Sequence, residues 1–222
     1  MINRICFLLA FAFTSVTQAS SFEEAMIFPG QFVDGKSLSE YADMWWQWTY
    51  TMSPDLSPVR DLTGKNCHQE QSGDVWFLAG GYGSSKIRRT CEVPSGKYVF
   101  FPVINMIYYP RNPGSVSCDD VKESAALNND NLLNIDVTLD LMHASNPAHT
   151  RLKSEECFDL LGLLPSSVNA PKIYPTASDG YWIMLKPLSK GKHNLKFRAR
   201  YDGDEDRYSK MVRDIEYELI VK

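Results

Sequence analysis

The chain has 222 residues, 44% of them hydrophobic and 12% aromatic, which is ample material for one substantial core. A formal charge of -4 makes it a poor nucleic-acid binder, since phosphate recognition needs a basic surface. After the first residues no stretch reaches about 18 consecutive apolar residues, which argues against a membrane span in the mature chain.

Residues 1 to 19 read as a cleavable secretory signal peptide. Arg4 and the amino terminus supply positive charge, an apolar run follows from Ile5 to Phe13, and Thr17 and Ala19 are the small residues that suit a signal peptidase. The run is too short to cross about 30 Å of hydrocarbon as a helix. Cys6 lies too early, with no Ser or Gly around it, to serve as a lipid acceptor. Cleavage after Ala19 leaves about 200 residues, one charge unit more negative, as a single soluble domain over residues 20 to 222, periplasmic or extracellular.

Removal of Cys6 leaves Cys67, Cys91, Cys118 and Cys157, an even number in an oxidising compartment, so disulfides are expected. Three pairings exist. The sequential one, Cys67 with Cys91 and Cys118 with Cys157, is preferred because each pair brackets a compact block. No Cys-x-x-Cys occurs, so zinc-ribbon and thioredoxin-type chemistry are not expected.

In chain order, Ser37-Leu-Ser-Glu40 is a capping box opening an amphipathic helix over residues 37 to 52. Leu38, Tyr41, Trp45, Trp48 and Met52 form its apolar arc, Asp43 and Gln47 lie opposite, and Trp46 and Tyr50 sit at the arc's edge. Pro54 and Pro58 end it. Strands follow at 74 to 80, 86 to 93 and 97 to 105; the first and third are continuously apolar, as strands buried on both faces are. Pro102 calls for an edge position or a bulge. Residues 119 to 129 suit a short helix capped by Asp119 or Asp120, and Leu133, Ile135, Val137, Leu139 and Leu141 alternate as in a half-buried strand. Residues 162 to 180, with Pro165, Pro171 and Pro175, read as a long surface loop. Strands resume at 181 to 186, at 195 to 201 and at 215 to 221. The expected fold is mainly β, an antiparallel sandwich of jelly-roll or immunoglobulin-like type with an N-terminal amphipathic helix and a second short helix.

Cys67-His-Gln-Glu-Gln-Ser-Gly-Asp-Val-Trp-Phe-Leu-Ala-Gly80, Arg89-Thr-Cys-Glu-Val-Pro-Ser-Gly-Lys97 and Phe100-Phe-Pro-Val-Ile-Asn105 resemble the blocks of a family of uncharacterised exported bacterial and archaeal proteins. Asp179-Gly-Tyr-Trp-Ile-Met-Leu-Lys-Pro-Leu188 and Gly191-Lys-His193 are similar to its second block. The resemblance implies export and a shared fold; it assigns no substrate.

Catalytic motifs are incomplete. His68-x-Glu70 opens like a zinc deaminase signature but lacks the Pro-Cys-x-x-Cys half. His143, His149 and His193 are scattered, so no metal site is assigned and no cofactor is expected. Ser189-Lys-Gly-Lys192 fits Ser-x-x-Lys without the partner motifs, and Gly80, Gly81 and Gly83 are not followed by Gly-Lys-Ser or Gly-Lys-Thr. Aromatic residues carry more signal. Trp45, Trp48, Trp76 and Trp182 suit the core, whereas Trp46, Tyr50 and Tyr82 are the candidates for a ligand surface. Lys196, Arg198 and Arg200 project from one strand face as a row that suits an anionic polymer or simply solvent.

The leading expectation is therefore an exported, non-enzymatic binding protein for an envelope glycan, an anionic polymer or another exported protein. One alternative is a cell-envelope hydrolase assembled from distant residues such as Glu70, Asp179 and His193. The other is a structural or assembly component of the envelope that uses the loop at 162 to 180.

Overall fold

The computed structural model describes residues 21–112, 114, 116–144, 147–204 and 209–222; the signal peptide expected over residues 1 to 19 lies outside the described residues. Two five-stranded sheets face each other. The first contains β1 (Met26–Ile27), β4 (Val75–Phe77), β6 (Tyr98–Tyr108), β9 (Arg151–Lys153) and β10 (Ala177–Leu185), in the order β1-β10-β6-β4 with β9 also on β10. The second has the order β5-β12-β11-β7-β8, from β5 (Ser85–Val93), β12 (Met211–Val221), β11 (Gly191–Tyr201), β7 (Leu132–Leu139) and β8 (Met142–His143). A small hairpin of β2 (Phe32–Val33) and β3 (Lys36–Ser37) leads into helix α1 (Leu38–Tyr50). Helix α2 (Cys118–Ala126) follows β6. The mainly β sandwich with two helices is as expected, but its sheets are mixed, because β4 runs parallel to β6 and β5 parallel to β12.

Period-two patterning builds the inner core. Leu195, Phe197, Ala199 and Tyr201 of β11 and Ile215, Tyr217 and Leu219 of β12 point inward against Phe101, Ile104, Ile183 and Leu185 of the first sheet. Phe101 stacks on Phe197 at 4.8 Å between ring centroids. The first sheet is buried on its other face too, because α1 lays Leu38, Tyr41, Trp45 and Trp48 over Val75, Phe77, Phe100, Trp182 and Met184. Every residue of β10 is consequently buried. Trp182 stacks on Phe100 at 5.3 Å, and the Trp45 indole N–H donates to the Leu78 carbonyl at 2.9 Å, so the outer core is bonded as well as packed.

The helix caps follow from sequence. Glu40 N donates to Ser37 Oγ at 3.2 Å and Ser37 N to Glu40 Oε2 at 2.7 Å. In α2 the cap is Ser117, not Asp119 or Asp120; Asp120 is the returning partner of a second capping box. Pro102 lies in a central strand and is accommodated by a bulge: Tyr181 pairs with Ile104 and Trp182 with Pro102, which leaves Val103 unpaired. Leu78 N donates to Phe100 O, so position 102 faces the same side just beyond the end of β4, where its missing N–H removes no ladder bond.

Both sequential disulfides are present, Cys67–Cys91 joining the loop before β4 to β5 and Cys118–Cys157 joining α2 to the segment after β9. Two expectations fail locally. Residues 177–180 belong to strand β10, so the loop is shorter than expected. Leu133 and Leu141 are exposed, and only Val137 and Leu139 of that alternating set are fully buried. Among the described residues no helix is long and apolar enough to cross a membrane.

Candidate ligand cleft

A buried guanidinium organises the loop that follows α1. Arg89, on β5, is 1% exposed. Its Nε donates to Asp61 O at 2.7 Å, Nη2 to Val59 O at 3.2 Å, and Nη1 to Ala79 O at 3.1 Å and Gly80 O at 2.8 Å. Nη1 also reaches Tyr217 Oη at 3.0 Å, and that hydroxyl in turn donates to Ala79 O at 2.7 Å. The five acceptors are carbonyls and a phenol, with no carboxylate among them. Arg89 thus ties residues 59–61 to residues 79–80 and fixes Arg60 relative to Tyr82.

A second buried guanidinium, Arg213 on β12, lies below the same segment. Burial pulls it down to about 10, and its Nε has no partner among the described residues. Gly80 approaches it closely: a Cβ there would stand 2.7 Å from Arg213 Nη1, so the guanidinium would have to shift.

Tyr82 is 52% exposed, with the Arg60 guanidinium 5.6 Å from its ring centroid. On one side of this pair Tyr50, Thr49, Met52 and Ser57 line a cleft of about 270 Å3. On the other side Leu62, Lys86 and Ile87 line one of about 430 Å3. Tyr50 is half-buried and meets Tyr109 edge-on at 6.3 Å; burial and its hydrogen bond to Tyr109 push the phenol well above its ordinary value, so it stays neutral. Ser57 is 3% exposed, and its hydroxyl has no partner among the described residues. Among the described residues, none that lines either cleft is a carboxylate or an imidazole. The geometry offers aromatic walls and cations, a set suited to holding a ligand.

Of the three aromatic candidates, the structure brings Tyr50 and Tyr82 to one cleft. Trp46 is not a surface residue: at 8% exposure it packs behind Tyr50, 6.2 Å between rings, and against Trp45. Its place at the arc's edge left it buried because the 151–160 segment covers the supposedly polar side of α1. There Asp43 Oδ1 accepts from Ser154 Oγ at 2.6 Å and Ser178 Oγ at 2.9 Å, and Gln47 Nε2 donates to Asp159 O at 2.8 Å. Burial pushes Asp43 up to about 7.

The basic row of β11 is largely matched. Lys196 pairs with Glu216 at 3.6 Å, Arg198 with Asp214 at 3.4 Å and Lys192 with Glu218 at 3.4 Å, while Arg88 of β5 meets Glu216 at 3.0 Å. An acidic stripe from β12 therefore separates two basic stripes, each exposed pair adding about 0–1 kcal/mol. Arg198 and Arg200 line a shallow groove together with Asn134 and Asp136. A carboxylate on its wall makes that groove a weaker anion site than the Tyr82 clefts.

Glu70, Asp179 and His193 do not converge. Asp179, 1% exposed, is clasped by Arg151 at 2.9 and 3.0 Å, and burial pushes its carboxyl up against the pull of Arg151 and Lys153. His193 lies beyond the β10–β11 turn, and Asp179 is six residues back along β10, about 20 Å at strand rise. Glu70 lies in the loop before β4. The His193 Nδ1 faces Asp140 Oδ2 at 2.9 Å and Nε2 faces Ser189 O at 2.9 Å, with Ser189 Oγ at 3.3 Å. The ring staples the turn after β7 to the turn after β10.

Sequence reasoning missed Arg60, Ser57 and Arg89. The only local signals were two prolines and the position of Arg89 in a conspicuous Arg-Thr-Cys block. Comparison with known proteins gives no match to a family model, to a curated protein or to a solved structure.

Proposed function

We propose that the protein is an exported binding protein that holds a saccharide of the cell envelope in the cleft between Tyr50 and Tyr82. The observation that carries this reading is the joint placement of two tyrosines and an arginine stacked on Tyr82 around one preformed opening. Flat rings suit the apolar faces of sugars, and the guanidinium suits their oxygens. Arg89 holds the wall of Arg60 and Tyr82 in place, so little ordering cost attaches to that side on binding.

Purified protein is expected to co-sediment with peptidoglycan or to be retained on immobilised lipopolysaccharide, and Tyr82→Ala with Tyr50→Ala is expected to reduce retention at least fivefold. Retention no greater than that of an unrelated disulfide-bonded domain would remove the proposal.

Export is supported by the charged, apolar, small-residue order of residues 1 to 19 and by two disulfides, which persist in oxidising compartments. Expression in a bacterial host is expected to give an exported product whose N-terminal residue is Ser20, read by intact mass. A cytosolic product retaining Met1 would count against export.

A further inference from the structure

We infer that the ligand is acidic: a saccharide bearing carboxylate or sulfate groups, with the anion seated between Arg60 and Lys86 and a sugar ring on Tyr82. The inference rests on the saccharide reading above and names the class of sugar.

Two cations without an acid partner among the described residues meet beside Tyr82, in contrast to their paired neighbours on the second sheet. On the outer face of the second sheet Arg88, Lys192, Lys196, Arg198 and Lys222 all have carboxylate partners. Arg60 and Lys86 have none among the described residues, although Lys86 stands in register with Asp214, which pairs with Arg198 instead. Both line the cleft that Tyr82 borders. A chain of net charge -4 thus keeps two uncompensated cations beside one exposed ring.

Two buried guanidiniums lie beneath them. Arg89 and Arg213 are buried under residues 79–82, and neither has a carboxylate partner among the described residues. Charges set in protein are screened less than surface charges, so they add positive potential at the cleft. Arg60 lies over the Tyr82 ring, which leaves its N–H edge available for a two-pronged bond to a carboxylate or sulfate. On the other side of Tyr82, Thr49, Tyr50 and Ser57 line the adjoining cleft, which leaves room for a second ring. Two cations beside one ring match a single acid group better than a nucleic-acid backbone, which needs a longer cationic track.

The test is calorimetric titration of the purified protein with hexagalacturonate, with its fully methyl-esterified form, with a sulfated heparin hexasaccharide and with oligothymidine. At least one acidic saccharide is expected to bind about tenfold or more tighter than the ester, because charge-assisted hydrogen bonds are lost on esterification. Arg60→Gln with Lys86→Gln is expected to bring that ratio close to one with the melting temperature unchanged, whereas Tyr82→Ala weakens all saccharides. Raising salt from 50 to 300 mM should weaken the acidic forms alone. Equal binding of ester and acid would overturn the acidic assignment and leave the saccharide cleft standing. Tighter binding of oligothymidine would overturn the saccharide class, and no binding by any oligomer would overturn both.

Discussion

Arg89→Met is expected to lower the unfolding free energy by about 3–5 kcal/mol, measured as a fall in the urea midpoint at constant slope. The substitution keeps much of the side-chain length and removes every donor. It leaves the carbonyls of Val59, Asp61 and Gly80 without the group they share, while Ala79 O and the Tyr217 hydroxyl keep their bond to each other. Each buried acceptor left unpaired costs about 1–3 kcal/mol, and the three are not additive because the loop can relax toward water. Arg89→Lys supplies one point donor in place of a fork and is expected to recover less than half of the loss. A loss below about 1 kcal/mol for Arg89→Met would show that the loop is held by packing and the Cys67–Cys91 bond, not by the guanidinium.

Asp43→Asn is expected to stabilise the protein at pH 8 and to do nothing, or slight harm, at pH 4.5. In the unfolded chain this carboxyl titrates near 3.8, and in the folded protein burial pushes it up to about 7, with Glu155 and Glu40 adding to the effect of desolvation. The folded state therefore prefers the protonated form. That contribution is fully present below about pH 4 and is lost progressively as the pH rises through about 7, by about 1.4 kcal/mol for each unit between the two values. The gap amounts to about 2–4 kcal/mol at pH 8. Asparagine carries no charge at either pH and keeps an oxygen for Ser154 Oγ and Ser178 Oγ. Urea unfolding at pH 4.5, 6 and 8 should give a variant whose stability falls less with pH than that of the parent. Parallel pH curves for the two proteins would show that Asp43 ionises freely in the folded state.

Local chemistry made some of this fold readable in advance. The Ser37 and Glu40 capping box, the apolar arc of α1, the bulge at Pro102 and the alternation of β11 each express a rule that operates within a few residues. Ser178, Asp179 and Gly180 obeyed a different logic. They are polar or flexible and follow a proline-rich stretch, yet they form a buried strand because their partners come from far away. Asp43 and Ser154 satisfy Ser178, Arg151 satisfies Asp179, and Gly180 admits Asn105 of β6 so closely that a Cβ would lie 2.7 Å from the asparagine Cβ.

The clefts divide in the same way. Tyr50 and Tyr82 could be nominated because exposed aromatic rings are informative by type, but Trp46 obeys the same compositional rule and is buried. Arg60 and Ser57 sit in an irregular loop whose path is set by a guanidinium some 30 residues later in the chain. No periodicity encodes that. For the row Lys196, Arg198 and Arg200 the sequence displayed the cations in one strand, while the acids that match two of them stand on the neighbouring strand, at Asp214 and Glu216.

The double-faced first sheet has an optical consequence. Trp45, Trp46, Trp48 and Trp182 all lie in the core under α1, Trp76 faces the inner core from β4, and the second sheet contains no tryptophan. Emission from this protein is therefore a gauge of the helix layer: undocking of α1 would redden the spectrum while the paired strands β11 and β12 stayed intact and dark.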